Sequence, residues 1–124
     1  MAFRRAVRVG DLLQREISNI VETELKDPRI GFLTITRVNL SNDLKLAHVY
    51  YSVLGTVEQK EKSAEGLRSA KGFIKKLLGQ RTRLKYLPDI LFVFDDSLEK
   101  GEQMQSILEE LKDEEAHRRD RTEE

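Results

Sequence analysis

A chain of 124 residues suffices for one domain that buries about two-thirds of its unfolded surface without covalent staples. It has no cysteine, which excludes disulfides, thiolate metal sites and thiol catalysis. No segment approaches the ~18 consecutive apolar residues of a membrane span, and the early arginines are not followed by the apolar run of a signal peptide, so the chain reads as cytoplasmic. Its 22 basic and 22 acidic residues cancel, and any charge-driven function must come from how those charges are sorted along the sequence.

Val9, Leu13, Ile17, Ile20, Val21 and Leu25 recur at spacings of three and four, the period of an amphipathic helix. The helix has to stop by Asp27, because Pro28 pushes its predecessor out of the helical region. Phe32 to Val38 is rich in β-branched and aromatic residues and reads as a strand. The Ser41-Asn42-Asp43 cluster marks a turn, and a second strand runs from Leu46 to Leu54, with Ala47, Val49, Tyr51 and Val53 on one face and His48 and Ser52 on the other. So short a connection predicts an antiparallel hairpin.

Thr56 followed three residues later by Gln59 has capping-box spacing and opens a second helix. Its apolar positions are Ala64, Leu67, Ala70, Ile74, Leu77 and Leu78. Gly72 falls inside this pattern; an interior glycine costs about 1 kcal/mol relative to alanine and suggests a kink or two abutting helices. Pro88 closes the following loop, and the apolar run Ile90 to Phe94 reads as a short buried strand. Asp96 and Ser97 can cap a last helix bearing Leu98, Met104, Ile107, Leu108 and Leu111. From Asp113 onward nine of twelve residues are charged, the composition of an unstructured tail. The order helix, strand, strand, helix, kink, helix, strand, helix gives an α+β domain with its helices on one face of a three-stranded sheet. The domain spans residues 1–112 and the charged tail residues 113–124.

The charges are strongly sorted. Between Arg68 and Pro88 lie Arg68, Lys71, Lys75, Lys76, Arg81, Arg83 and Lys85 with no acid, whereas the stretch from Asp89 to the end holds 13 acids against five bases. At 100° per residue, Arg68, Lys71 and Lys75 project opposite Leu67, Ile74 and Leu78. A basic face can be simply solvated, but this one lacks acids for i,i+4 pairing and continues past the helix, as expected of a phosphate-binding surface. Arg4, Arg5 and Arg8 add either a second phosphate contact or a mobile basic arm, with Phe3 a weak candidate for base stacking.

Catalytic and metal-binding signals are missing. His48 and His117 have no metal-ligand spacing to other residues. Asp95-Asp96 can resemble a magnesium or catalytic pair, but a strand end followed by a helix N-cap explains it more simply. No glycine-rich phosphate loop is present. The sequence therefore predicts no enzyme, no metal and no cofactor.

Several blocks together are similar to a known family. Lys26-Asp27-Pro28-Arg29-Ile30-Gly31-Phe32 with Thr34-Ile35-Thr36, Asp43-Leu44, Ala47-His48-Val49-Tyr50-Tyr51-Ser52-Val53, Ser69-Ala70-Lys71-Gly72-Phe73-Ile74, Pro88 through Phe92, and Asp96-Ser97-Leu98-Glu99-Lys100-Gly101 stand in the order of the ribosome-binding factor A family. The resemblance implies a type II KH-like fold. It places an interhelical kink at Ala70, Lys71 and Gly72, where KH domains usually carry a Gly-x-x-Gly backbone clamp. It also implies a factor that binds the small ribosomal subunit precursor near the 5′-terminal helix of its rRNA, assists late processing and maturation, particularly in the cold, and then leaves. The residues expected to hold RNA are Arg5, Arg8, Arg68, Lys71, Lys75, Lys76, Arg81, Arg83 and Lys85, in a monomer whose partners are the small subunit and its rRNA. The alternative is a protein-interaction module that docks an acidic partner on the same basic face.

Overall fold

The computed structural model describes residues 2–97. Helix α1 (Ala2–Thr23) is followed by strands β1 (Phe32–Leu40) and β2 (Leu46–Leu54), helix α2 (Val57–Arg81) and strand β3 (Asp89–Phe94). The sheet order is β1-β2-β3. The expected hairpin is present, β1 lying antiparallel to β2, while β3 lies parallel to β2. A parallel pair needs a crossover, and α2 is that crossover. The expected last helix and the tail lie outside the described residues.

Helix α1 buries Ala6, Leu13, Ile17, Ile20 and Val21, one stripe at helical spacing. At Gly10 it lies close to β1, where a Cβ would stand 3.4 Å from the Val38 carbonyl oxygen. The chain then turns through Asp27-Pro28-Arg29, where the Asp27 carboxylate accepts the Arg29 backbone N–H at 2.9 Å and pairs with its guanidinium.

Strand β1 runs two residues beyond its expected end because it contains a bulge. Ile35 pairs with Tyr51 and Arg37 with Tyr50, leaving Thr36 as the extra residue. A bulge changes which parity faces the core. Leu33 and Ile35 before it, and Val38 and Leu40 after it, therefore all join the core. From β2 the predicted face of Ala47, Val49, Tyr51 and Val53 is buried. Register then carries Ile90, Phe92 and Phe94 to the same side, opposite Ala47, Val49 and Tyr51, with the Tyr51 ring edge-on to Phe92 and Phe94. The reading of β3 as wholly buried needs correction. It is an edge strand with one covered face, so Ile90 is buried while Leu91 is half exposed.

Thr56 caps α2 with a complete capping box: its hydroxyl accepts the Gln59 N–H, and the Gln59 side chain accepts the Thr56 N–H. Ser63 and Gly66 dock the first turns on the segment before β1. The Ser63 hydroxyl accepts the Gly31 N–H at 3.2 Å and donates to the Arg29 carbonyl, and Gly66 leaves the space that Ile30 fills. Further along, Leu67, Ile74 and Leu78 reach the core.

The expected division at Gly72 is corrected. Ala70, Lys71 and Gly72 lie within one helix, Val57–Arg81. The packing of Leu67 before and Ile74 and Leu78 after this point outweighs the modest propensity penalty of a single glycine. The α+β arrangement otherwise follows the expected order and is that of a type II KH-like domain.

Candidate nucleic-acid interface

Because Leu67, Ile74 and Leu78 face the core, Arg68, Gly72 and Lys76 face outward, and all three are exposed. On a helix surface the neighbours of Gly72 are the residues three and four away: Arg68, Ser69, Lys75 and Lys76. A Cβ at Gly72 would meet nothing within 4 Å. The result is open ground bordered by three cations, where a phosphate backbone can come close to the helix.

Lys71 and Lys75, expected opposite the core face, are placed otherwise: about 40° and 80° round the helix from Leu67, they are half buried and flank this ground on the β3 side. Both reach Asp89 at the start of β3, with Nζ–Oδ1 distances of 3.2 and 3.6 Å. The hydrogen bond from Lys71, with the Ile90 N–H donating to the same carboxylate, holds Asp89 below the usual carboxylate range. The acid-free sequence run is thus not acid-free in space. These pairs are solvent-exposed and weak, so a polyanion can displace Asp89.

Arg81 behaves differently. Its guanidinium donates to Asn19 Oδ1 at 2.7 Å, lies 3.2 Å from a Glu24 carboxylate oxygen and 3.8 Å from one of Glu16. It ties the end of α2 to α1 and is not part of the open basic face. Arg83 and Lys85 are exposed in the loop leading to β3. Arg68, Lys76, Arg83 and Lys85 have no carboxylate within ion-pair distance among the described residues.

Arg5 and Arg8 are not a mobile arm, since α1 begins at Ala2 and both are exposed on its first turns. The first turn contains no acid, so these cations sit against the positive end of the helix dipole. They form a separate basic region: Arg8 is eight residues, about 12 Å along the axis, from Glu16, where Arg81 meets α1.

The sequence reading missed Tyr86. This ring is 79% exposed in the same loop as Arg83 and Lys85, with the Lys85 ammonium 5.5 Å from its centroid. The signal for it is an aromatic residue inside the basic run itself, between Lys85 and Leu87.

Asp95 follows the expected strand-end reading. It accepts the Thr36 hydroxyl at 2.7 Å and the Ser97 N–H at 3.0 Å, and these bonds, the one from Thr36 foremost, lower its carboxyl to about 2. Among the described residues no group of three or more His, Asp or Glu side chains is placed to hold a metal, and no helix there is long and apolar enough to cross a membrane.

The family profile described as ribosome-binding factor A matches residues 5–108. The chain belongs to the ribosome-binding factor A family. It is 48% identical over 115 residues to the ribosome-binding factor A of Halothermothrix orenii, covering 93% of this chain and 94% of that one. The fold is similar to the crystal structure of ribosome-binding factor A from Thermus thermophilus, with a TM-score of 0.65 at 26% identity over 72% of this chain and 93% of that one. It is also similar, with a TM-score of 0.60 at 26% identity over 70% of this chain and 91% of the other, to a homology model of the Thermus thermophilus protein fitted into a cryo-electron microscopy map of a complex with the 30S subunit.

Proposed function

We propose that this protein is a non-catalytic assembly factor of the small ribosomal subunit. It binds the precursor near the 5′-terminal helix of its rRNA, assists late processing and maturation, including growth in the cold, and acts as a cytoplasmic monomer. The observation that carries this reading is the cation border around Gly72, made by exposed Arg68 and Lys76 and half-buried Lys75, on a chain of the ribosome-binding factor A family. The Thermus relative fitted into a 30S complex supports the same partner.

The mechanism follows from the chemistry of the face. Lysine and arginine side chains bind phosphates with an affinity set by counterion release, and such contacts position a protein without reading sequence. Arg68, Lys71, Lys75 and Lys76 supply the main contact, Arg83 and Lys85 extend it, and Arg5 and Arg8 form a second one. Arg81 supports the face through α1. The open ground at Gly72 replaces the Gly-x-x-Gly clamp of other KH domains as the place of closest backbone approach. Binding that is largely electrostatic also releases readily, as a factor that must leave requires.

Sedimentation with small-subunit particles, before and after nuclease digestion, tests the proposal. Loss of co-sedimentation after digestion is expected. Persistence on the digested particles would favour an acidic protein partner.

A further inference from the structure

We infer that Tyr86 is a stacking platform for one unpaired RNA base beside the phosphate-binding face, an inference that rests on the RNA-binding reading above. Of the three tyrosines, Tyr51 is buried in the core, where its ring meets Phe92 and Phe94. Tyr50 lies under the Arg37 guanidinium at 4.0 Å. Tyr86 alone of the three is an exposed large side chain, and it is 79% exposed.

The loop around the ring is anchored. Leu84 and Leu87 pack against the core, Pro88 is buried, and the Leu87 side chain reaches the helix at Gly79. The chain therefore points Leu84 inward, Lys85 and Tyr86 outward, and Leu87 and Pro88 inward. A ring presented on a fixed loop loses little freedom when a base stacks on it.

The surroundings select the ligand. Tyr86 lies three residues before Asp89, whose carboxylate carries Lys71 and Lys75. That spacing keeps the Tyr86 and Asp89 Cα atoms within about 11 Å of each other. Lys85 stands over the ring at 5.5 Å, and Arg83 is exposed two residues earlier than Lys85. A flat aromatic surface bordered by phosphate-binding cations is the arrangement that holds single-stranded nucleic acid, the base on the ring and the backbone on the charges. A duplex offers the same phosphates but no free base face.

The test compares a short single-stranded RNA with an RNA duplex of equal phosphate number, using wild type, Tyr86→Ala, Tyr86→Phe and the triple variant Lys71→Glu, Lys75→Glu, Lys76→Glu. Tyr86→Ala should weaken single-strand binding by about 5- to 150-fold, the range for one stacked base. It should leave duplex binding and the thermal midpoint unchanged, and Tyr86→Phe should retain most of the affinity. Stacking releases no counterions, so the slope of log K against log salt should be the same in Tyr86→Ala as in wild type. If Tyr86→Ala binds single strands as wild type does while the triple variant loses binding, the stacking role is overturned and the RNA-binding reading stands. If neither variant changes binding, the basic face is not the RNA site and both fail.

Discussion

Lys71 Nζ stands 3.2 Å from Asp89 Oδ1, so the proposed phosphate-binding face carries its own anion. Lys75 shares the same oxygen at 3.6 Å. On the proposed reading, the carboxylate occupies the position a phosphate oxygen would take, and RNA would have to displace it or bind around it. Asp89 would then act as an internal competitor that keeps the complex releasable. Asp89→Asn should raise affinity for small-subunit RNA several-fold at low salt, with the gain shrinking as screening approaches a Debye length of about 8 Å. Filter binding at two salt concentrations checks this, and weaker binding in the variant would mean that Asp89 instead orients the lysines.

Two glycines of α2 should respond oppositely to the same substitution. A Cβ at Gly66 would lie 2.6 Å from Ile30 Cγ1, whereas one at Gly72 meets nothing. Gly66→Ala should destabilise by roughly 1–3 kcal/mol, the usual effect of overpacking. Gly72→Ala should stabilise by about 0.4–1 kcal/mol, because the helical backbone accepts alanine and the unfolded chain loses freedom. Denaturant midpoints decide. A destabilised Gly72→Ala would show that the helix needs glycine there.

The Asp95 carboxyl is lowered to about 2, chiefly by the Thr36 hydroxyl. A depressed carboxyl stabilises the fold fully above its unfolded value of 3.8 and loses that contribution as pH falls through the folded one. Stability toward acid should therefore fall progressively below about pH 4. In Thr36→Val the Asp95 titration, followed by NMR, should move up toward the ordinary carboxylate value, and the acid transition should begin at higher pH. An unmoved titration would show that Ser97 alone holds the carboxylate.

These cases show where the sequence was legible. Apolar periodicity located α1 and the core face of β2, because burial there follows one element's own period, and the Thr56–Gln59 spacing located the start of α2, because a capping box is local. The β1 bulge was written in the spacing of Leu33, Ile35, Val38 and Leu40, which breaks alternation by one residue at Thr36. Gly72 misled because propensity is local, while the helix is held by Leu67, Ile74 and Leu78 packing on the sheet. The basic run was legible as charge but not as geometry. Its partners Asp89, Glu16 and Glu24 come from other elements, and no local pattern shows that Arg81 is a tie to α1 while Lys76 is open.

The salt dependence of RNA affinity, measured for wild type and for the variant Lys71→Glu, Lys75→Glu, Lys76→Glu, tests the central claim most directly. With about four phosphates contacted, log K against log salt should fall with a slope near −3 in wild type. The variant, with an unchanged circular dichroism spectrum, should bind more weakly and show a clearly shallower slope. The same slope and affinity in both proteins would contradict the account, because the outer face of α2 would then carry none of the RNA contact.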